Sequence, residues 1–360
     1  MIVEGAVVDA DGPHRAYVRF RGGRVVEVGV PGTDSTRGRV KRLRGIVTPP
    51  PVNGHTHLGD AVATREPPHQ PLAELVRPPH GYKFRLLATT PRREKIAAMR
   101  RALLRMRAEG VAATIDFREE GLDGIADLKR AARGTGVHPV ILGRTLRRPV
   151  DPSELDRVLR EADGIGLSAA REEPPAVRRL VARACRRRGR FFAMHASEEV
   201  REDPDDYLRP RPDLLVHLTK ATADDLERVA RAKVAVAVCP RSNALFGRRP
   251  DLAAFERFGV RGLLGTDNVM FHSPSIWREL EFAYVSARFA GRPVGPAYLA
   301  RMAFVHPWEW LGRPECARVA PTMPVTPTVL RLPAEDPAYQ LVSRGTEHLM
   351  VRPGTPDRRW

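Results

Sequence analysis

From Ile46 onward, short apolar runs alternate with longer amphipathic stretches, the pattern of successive βα units feeding a parallel sheet. Eight runs can be counted: IVTPPPVNGH at 46–55, VAATIDF at 111–117, HPVILGR at 138–144, GIGLSA at 164–169, FFAMH at 191–195, DLLVH at 213–217, VAVAVCP at 234–240 and GVRGLLGTD at 259–267. The stretches between them carry helix signals. Thr90 and Pro91 provide an N-cap and first turn, Ile96, Met99, Leu103 and Met106 then line one face, and Gly110 ends the pattern. Those four are core packing. Eight units predict an α/β fold, a (β/α)8 barrel of the TIM type over residues 46–317.

The two ends of the chain are patterned differently. Residues 1–45 hold short alternating segments, AYVRF at 16–20 and RVVEVGV at 24–30, divided by Asp11-Gly12 and Gly22-Gly23. After the eighth run come helical stretches at about 275–290 and 296–311, and then PTVLRLP, YQLVSRG and EHLMVRPG return to strand-like patterns. The head and tail are therefore predicted to pair, residues 1–45 with 318–360, into a small composite β-sandwich beside the barrel. Pro-rich stretches near 66–80 and 204–212 read as loops at the barrel mouth.

Composition narrows the function classes. Hydrophobic residues make up 42% of the 360, yet no apolar run approaches the roughly 18–20 residues that cross a bilayer, and MIVEGAVVDADG reads as a strand and turn rather than a secretory signal. A cytoplasmic protein without membrane association is expected. The cysteines, Cys185, Cys239 and Cys316, form no C-x-x-C pair, which argues against a disulfide framework or zinc knuckle. A net charge of +17 raises the question of nucleic acid. Against it, only six of the 60 basic residues are lysines, the arginines are spread over nearly every predicted helix, and aromatics are not interleaved with them. A small-molecule substrate is expected instead, and a homo-oligomer remains open.

Catalytic groups of a (β/α)8 barrel come from the carboxyl ends of different strands. Here strand one ends in His55-Thr56-His57, whose period-two spacing points both imidazoles to one side. Strand five ends in His195, strand six in His217 and strand eight in Asp267. Any one of these has an ordinary explanation, such as a satisfied core histidine. Together, four imidazoles and a carboxylate at one mouth suit a divalent transition metal.

P-P-P-V-N-G-H-T-H-L, H-A-S-E, a strand-end His, C-P-R-S-N and G-T-D, spread over nearly the whole chain, resemble the amidohydrolase superfamily, and within it the branch of cytosine deaminase and related aminohydrolases and chlorohydrolases. That branch has a (β/α)8 barrel with a composite β-sandwich. The resemblance implies that His55, His57, His195 and Asp267 bind the metal, that Glu198 moves protons, and that His217 orients the attacking water. Binuclear members use a carboxylated lysine on strand four, and GIGLSA has none, so one divalent ion is implied: zinc first, with iron or manganese as alternatives. Two features depart from the branch: a short Pro-rich segment between His195 and His217, and a C-terminal region without the usual Gly- and Asp-rich stretch.

The implied reaction is deamination of a heterocyclic amine, such as a nucleobase, nucleoside or pterin-like ring, by metal-activated water. Hydrolysis of a cyclic amide or carbon–halogen bond at the same site is an alternative, since hydroxide does not dictate the leaving group. A basic binding protein on an inactive barrel is a further one, disfavoured because all six site positions are filled. For the substrate, Arg118, Arg144, Arg241 and Asn243 lie at or after strand ends, with Lys83 in the loop after strand one; arginines there would suit a carboxylate or phosphate.

Overall fold

Three consecutive prolines, Pro49, Pro50 and Pro51, break the apolar run at 46–55 into two strands that join different sheets. Proline has no N–H to give a ladder and restricts the residue before it, so the strand stops there. The computed structural model describes residues 1–34, 40–78, 80–147, 149–347 and 349–350. It comprises two compact units. One contains described residues of Met1–Val52, Ala108–Ala112 and Ser275 onward, and the other those of Asn53–Arg107 and Ala113–Pro274.

In the first unit, β1 (Ile2–Asp9) and β2 (Gly12–Arg21) form an antiparallel hairpin, β3 (Arg24–Gly29) pairs with β2, and β4 (Arg42–Thr48) lies parallel to β1. Their inward positions make a β-branched core of Val3, Val7, Val18, Val25 and Val47, with Phe20.

The barrel strands follow: β5 (Val52–His57), β6 (Ala113–Arg118), β7 (His138–Gly143), β8 (Gly164–Leu167), β9 (Phe191–Ala196), β10 (Leu214–His217), β11 (Ala235–Val238), β12 (Gly262–Leu264) and β13 (Asp267–Asn268). They neighbour one another in chain order, except that β12 ends the list on one side and β13 on the other. These two are halves of one passage of chain. The Gly265 N–H donates to the carbonyl of Val238 at 2.9 Å, and the Thr266 N–H donates to that of His55 at 3.0 Å, so successive residues bond to opposite neighbours and close the ring. Glycine is required at this seam. A Cβ on Gly265 would lie 2.7 Å from the His55 nitrogen, and one on Gly54 would lie 2.8 Å from Cβ of Leu263.

Residues on both faces of β5, β6, β8, β10 and β11 are buried, as expected where helices cover a parallel sheet. The helix at Pro152–Glu161, capped by Asp151, buries Leu155, Val158 and Leu159, and the one at Ala223–Arg231, opened by a Thr222/Asp225 capping box, buries Leu226 and Val229. Along Arg92–Ala108, Met99, Leu103 and Met106 are buried as predicted.

After the barrel, the predicted helix at 296–311 is interrupted at Val305 into Pro296–Phe304 and His306–Trp310, since the Pro307 ring opposes a continuous helix. YQLVSRG is not a strand. It lies in the helix Pro337–Arg344, where Pro337 takes the first turn and Ala338, Leu341 and Val342 form the buried stripe. Finally β14 (Thr328–Leu330) and β15 (Leu349–Met350) complete a six-stranded sheet in the order β15-β14-β4-β1-β2-β3. Of the strand-like EHLMVRPG stretch, His348 and residues 351–354 lie outside the described residues.

Candidate active site

The strand-end residues converge within the barrel unit. One ligand-capable atom each from His55, His57 and Asp267 lies within 4.8 Å of the others, and the same holds for His55, His195 and His217. His55 Nε2 is 3.4 Å and His57 Nε2 3.6 Å from Asp267 Oδ1. Two of the donors sit in left-handed backbone, His217 at φ 78° and Asp267 at φ 59°, a local strain of the kind found at functional sites.

The surrounding hydrogen bonds decide which ring nitrogen is free. His57 Nδ1 is 2.7 Å from Glu119 Oε1, a carboxylate that can only accept, and His195 Nδ1 is 2.9 Å from the Leu167 carbonyl. Both rings therefore carry the proton on Nδ1 and present a lone pair on Nε2. Asp267 is fixed by Ser242 Oγ, which donates to Oδ2 at 2.6 Å, and by Asn268 Nδ2, which donates to Oδ1 at 3.1 Å. His55 is the odd one out: fully buried, with Nδ1 unpaired and Nε2 left only a long 3.4 Å approach to Asp267 Oδ1. Leaving a buried polar group unpaired costs about 1–3 kcal/mol, which a coordinated cation would offset, so the donor set fits a divalent metal.

Electrostatics prepare the same donors. Burial lowers the pKa of His55, lowers that of His57 to about 3 with the help of Lys83, and lowers that of His195 well below 6.5. The rings are thus neutral, the state that metal binding requires. Burial alone would raise Asp267, but the neighbouring imidazoles outweigh it and hold the carboxyl well below the ordinary range. Glu198 is raised by burial, against the pull of His217 and Arg248. Its Oε2 lies 3.6 Å from His217 Nε2, and its Oε1 3.9 Å from Arg248 Nη1.

An open pocket lies over these groups. Its floor includes His57, His195, His217, Glu198 and Asp267, and its apolar wall includes Leu72, Val76 and Val200.

The family model for the amidohydrolase family matches residues 46–315. The chain belongs to the amidohydrolase family. The amidohydrolase is 33% identical over 285 residues to a protein of Methanothermobacter thermautotrophicus named "Putative aminohydrolase", with 74% of each chain covered. It is 32% identical over 250 residues to an identically named protein of Archaeoglobus fulgidus, covering 68% of this chain and 70% of that one. Among solved structures it resembles a zinc-bound adenosine deaminase from Xanthomonas campestris, with a TM-score of 0.75, 17% identity, and coverage of 98% and 92% of the two chains. Atrazine chlorohydrolase from Arthrobacter aurescens, complexed with zinc, gives a TM-score of 0.71 at 18% identity, with coverage of 98% and 96%. The protein is a hydrolase acting on carbon–nitrogen bonds, and its buried cluster of histidines and Asp267 suits a divalent metal ion. No helix among the described residues is long and apolar enough to cross a membrane.

The residues predicted to meet substrate in this amidohydrolase are scattered. Arg144 lines the pocket, with Nε donating to the Gly166 carbonyl at 3.1 Å. Arg118 does not. It is fully buried, 2.8 Å from Glu119 and 3.6 Å from Asp116, because those two carboxylates beside it need a cation once removed from water. Arg241 donates to the Ser273 carbonyl at 2.8 Å and is not among the pocket residues. Asn243 is buried, with its amide nitrogen 3.1 Å from His217 Nδ1. Lys83 lines the pocket and meets Glu119 at 2.5 Å and Asp60 at 3.4 Å. The sequence reading missed Glu119 altogether. Its signal was its place at the carboxyl end of β6, one residue beyond Arg118.

Proposed function

We propose that this amidohydrolase is a mononuclear aminohydrolase that deaminates a heterocyclic amine, with zinc held by His55, His57, His195 and Asp267. The observation that carries this reading is the pairing of Glu198 with His217, 3.6 Å apart on the same pocket floor as His57, His195 and Asp267. The ion supplies acidity, lowering the pKa of a water from 15.7 toward about 7. Glu198, kept basic by its raised pKa, accepts the proton of the attacking water and delivers it to the departing amine. His217 receives a hydrogen bond from the Asn243 amide on Nδ1, so its own proton sits on Nε2 and is offered to the water or the substrate ring. That makes it a donor rather than a fifth ligand. No lysine occurs in β8, in keeping with a single ion.

The aliphatic wall of Leu72, Val76 and Val200 suits the face of a planar ring, and Arg144 suits an electron-rich or anionic substituent on it. A 63-residue stretch, 17% of the chain, is 51% identical to "Aminodeoxyfutalosine deaminase" of Deinococcus radiodurans, which supports deamination and puts that compound into the test panel. The test is ammonia release by zinc-loaded protein across aminated purines, pyrimidines, pterins and aminodeoxyfutalosine. Release from one class, lost in Glu198→Gln, is the expected result. No ammonia from any of them, with chloride or acid freed from halogenated rings or cyclic amides, would overturn deamination.

A further inference from the structure

Behind His57 lies a buried polar cluster that the proton chemistry does not use. Glu119 Oε1 accepts from His57 Nδ1 at 2.7 Å and lies 2.5 Å from Lys83 Nζ, while Oε2 accepts from Arg118 Nη2 at 2.8 Å. Asp60 lies 3.4 Å from Lys83, and Asp116 3.6 Å from Arg118. Lys83 and Arg118 thus face three carboxylates, all of them out of water. Arg118 is a strand-end neighbour of Glu119, whereas Lys83 arrives from elsewhere, on the helix Tyr82–Thr89. That helix packs against Leu72–Val76, which supplies the aliphatic wall of the pocket.

Lys83 is therefore the point at which the wall meets the carboxylate that orients His57. Ordering a long lysine side chain and burying its charge are both costly, and neither is needed merely to fill space in a helix. Carboxylates that orient a metal-bound histidine act through the ring's position and donor strength, and their loss commonly weakens metal binding 10- to 100-fold.

We propose that Lys83 is a positioning residue that ties the helices Leu72–Val76 and Tyr82–Thr89 to His57 through Glu119, so that metal binding and ordering of the pocket wall depend on each other. The proposal rests on His57 being a metal ligand. Linkage then requires reciprocity: whatever zinc does for the wall, the wall's anchor does for zinc. Lys83→Arg keeps a cation that can reach the carboxylate, and Lys83→Met removes it.

The test measures zinc affinity by competition with a chromophoric chelator, and amide hydrogen exchange in the two helices with and without zinc. In wild type, zinc should slow exchange in both helices. In Lys83→Met, zinc affinity should fall about tenfold or more, the zinc-dependent protection should disappear, and Lys83→Arg should restore most of each. If Lys83→Met does not fold, the neutral but polar Lys83→Gln is measured in its place, with the same losses expected. Zinc affinity within twofold of wild type, with protection intact, in either variant would overturn the proposal while leaving the metal site standing. Wild-type protein that takes up no zinc, or His57→Ala that binds it unchanged, would overturn the ligand assignment itself and this inference with it.

Discussion

The side-chain amide nitrogen of Asn243 lies 3.1 Å from Nδ1 of His217, and an amide nitrogen can only donate. His217 must accept there and keep its proton on Nε2, the nitrogen that faces Glu198. Replacing Asn243 with leucine frees the ring to adopt the other tautomer. We expect kcat to fall about 10- to 100-fold, with metal content unchanged. Equal loss of metal and turnover would instead mean that Asn243 supports the ligand cluster.

Glu198→Gln keeps the volume of the side chain and removes its basicity. Metal content should be preserved and kcat should drop about 10²- to 10⁴-fold, the usual contribution of a positioned acid/base group. Full turnover in this variant would remove Glu198 from the mechanism.

The pH profile adds an independent check. Burial raises the Glu198 carboxyl above its ordinary 4.5, and the working form is the carboxylate, so kcat/KM should decline as pH falls through a value above 4.5. Arg248, 3.9 Å away, pulls in the opposite direction. Arg248→Met should therefore shift the acid limb upward. A downward shift, or none, would count against Glu198 as the group that titrates.

Metal removal should be visible in stability as well as in turnover. A ligand that binds only the folded state adds about 2.7 kcal/mol at 100 times its Kd, so chelation should lower Tm, and Asp267→Asn should abolish that difference. Elemental analysis of the wild type should give about one equivalent of zinc, against none for the His55→Ala/His57→Ala double variant.

Acid stability depends in part on a histidine outside the ligand set, whose ring also feels Arg241 and Asp267. Burial lowers His272 to about 4, whereas the unfolded ring titrates near 6.5. The unfolded state therefore binds the extra proton first. The stability gained by keeping the ring neutral is complete above pH 6.5 and is lost as pH falls toward 4, by at most about 3 kcal/mol. Denaturant titrations of His272→Leu should show a flatter acid limb than the wild type, and identical limbs would refute the assignment.

The convergence of His55, His57, His195, His217 and Asp267 was legible because a period-two strand and the strand-end rule of a barrel involve only local pattern. Glu119 and the true surroundings of Arg118 were not. Which of two adjacent strand-end residues turns toward a histidine depends on the tilt of β6 against β5, and no run of apolar positions records that tilt. Lys83 was harder still, since its partners are carboxylates on other elements and its own segment has no strong periodicity. YQLVSRG misled for the opposite reason: Leu341-Val342 is one apolar pair, too short to separate a helical stripe from an alternating strand, and the Asp336-Pro337 start was the better signal.

The split eighth strand makes the site depend on closure of the ring. Gly265 and Thr266 grip opposite neighbours, so the chain sets Asp267 beside His55 in the same motion that joins the last strand to the first. An unfinished ring holds imidazoles but lacks its anionic arm. Whatever loosens the closure of the ring therefore also separates Asp267 from His55.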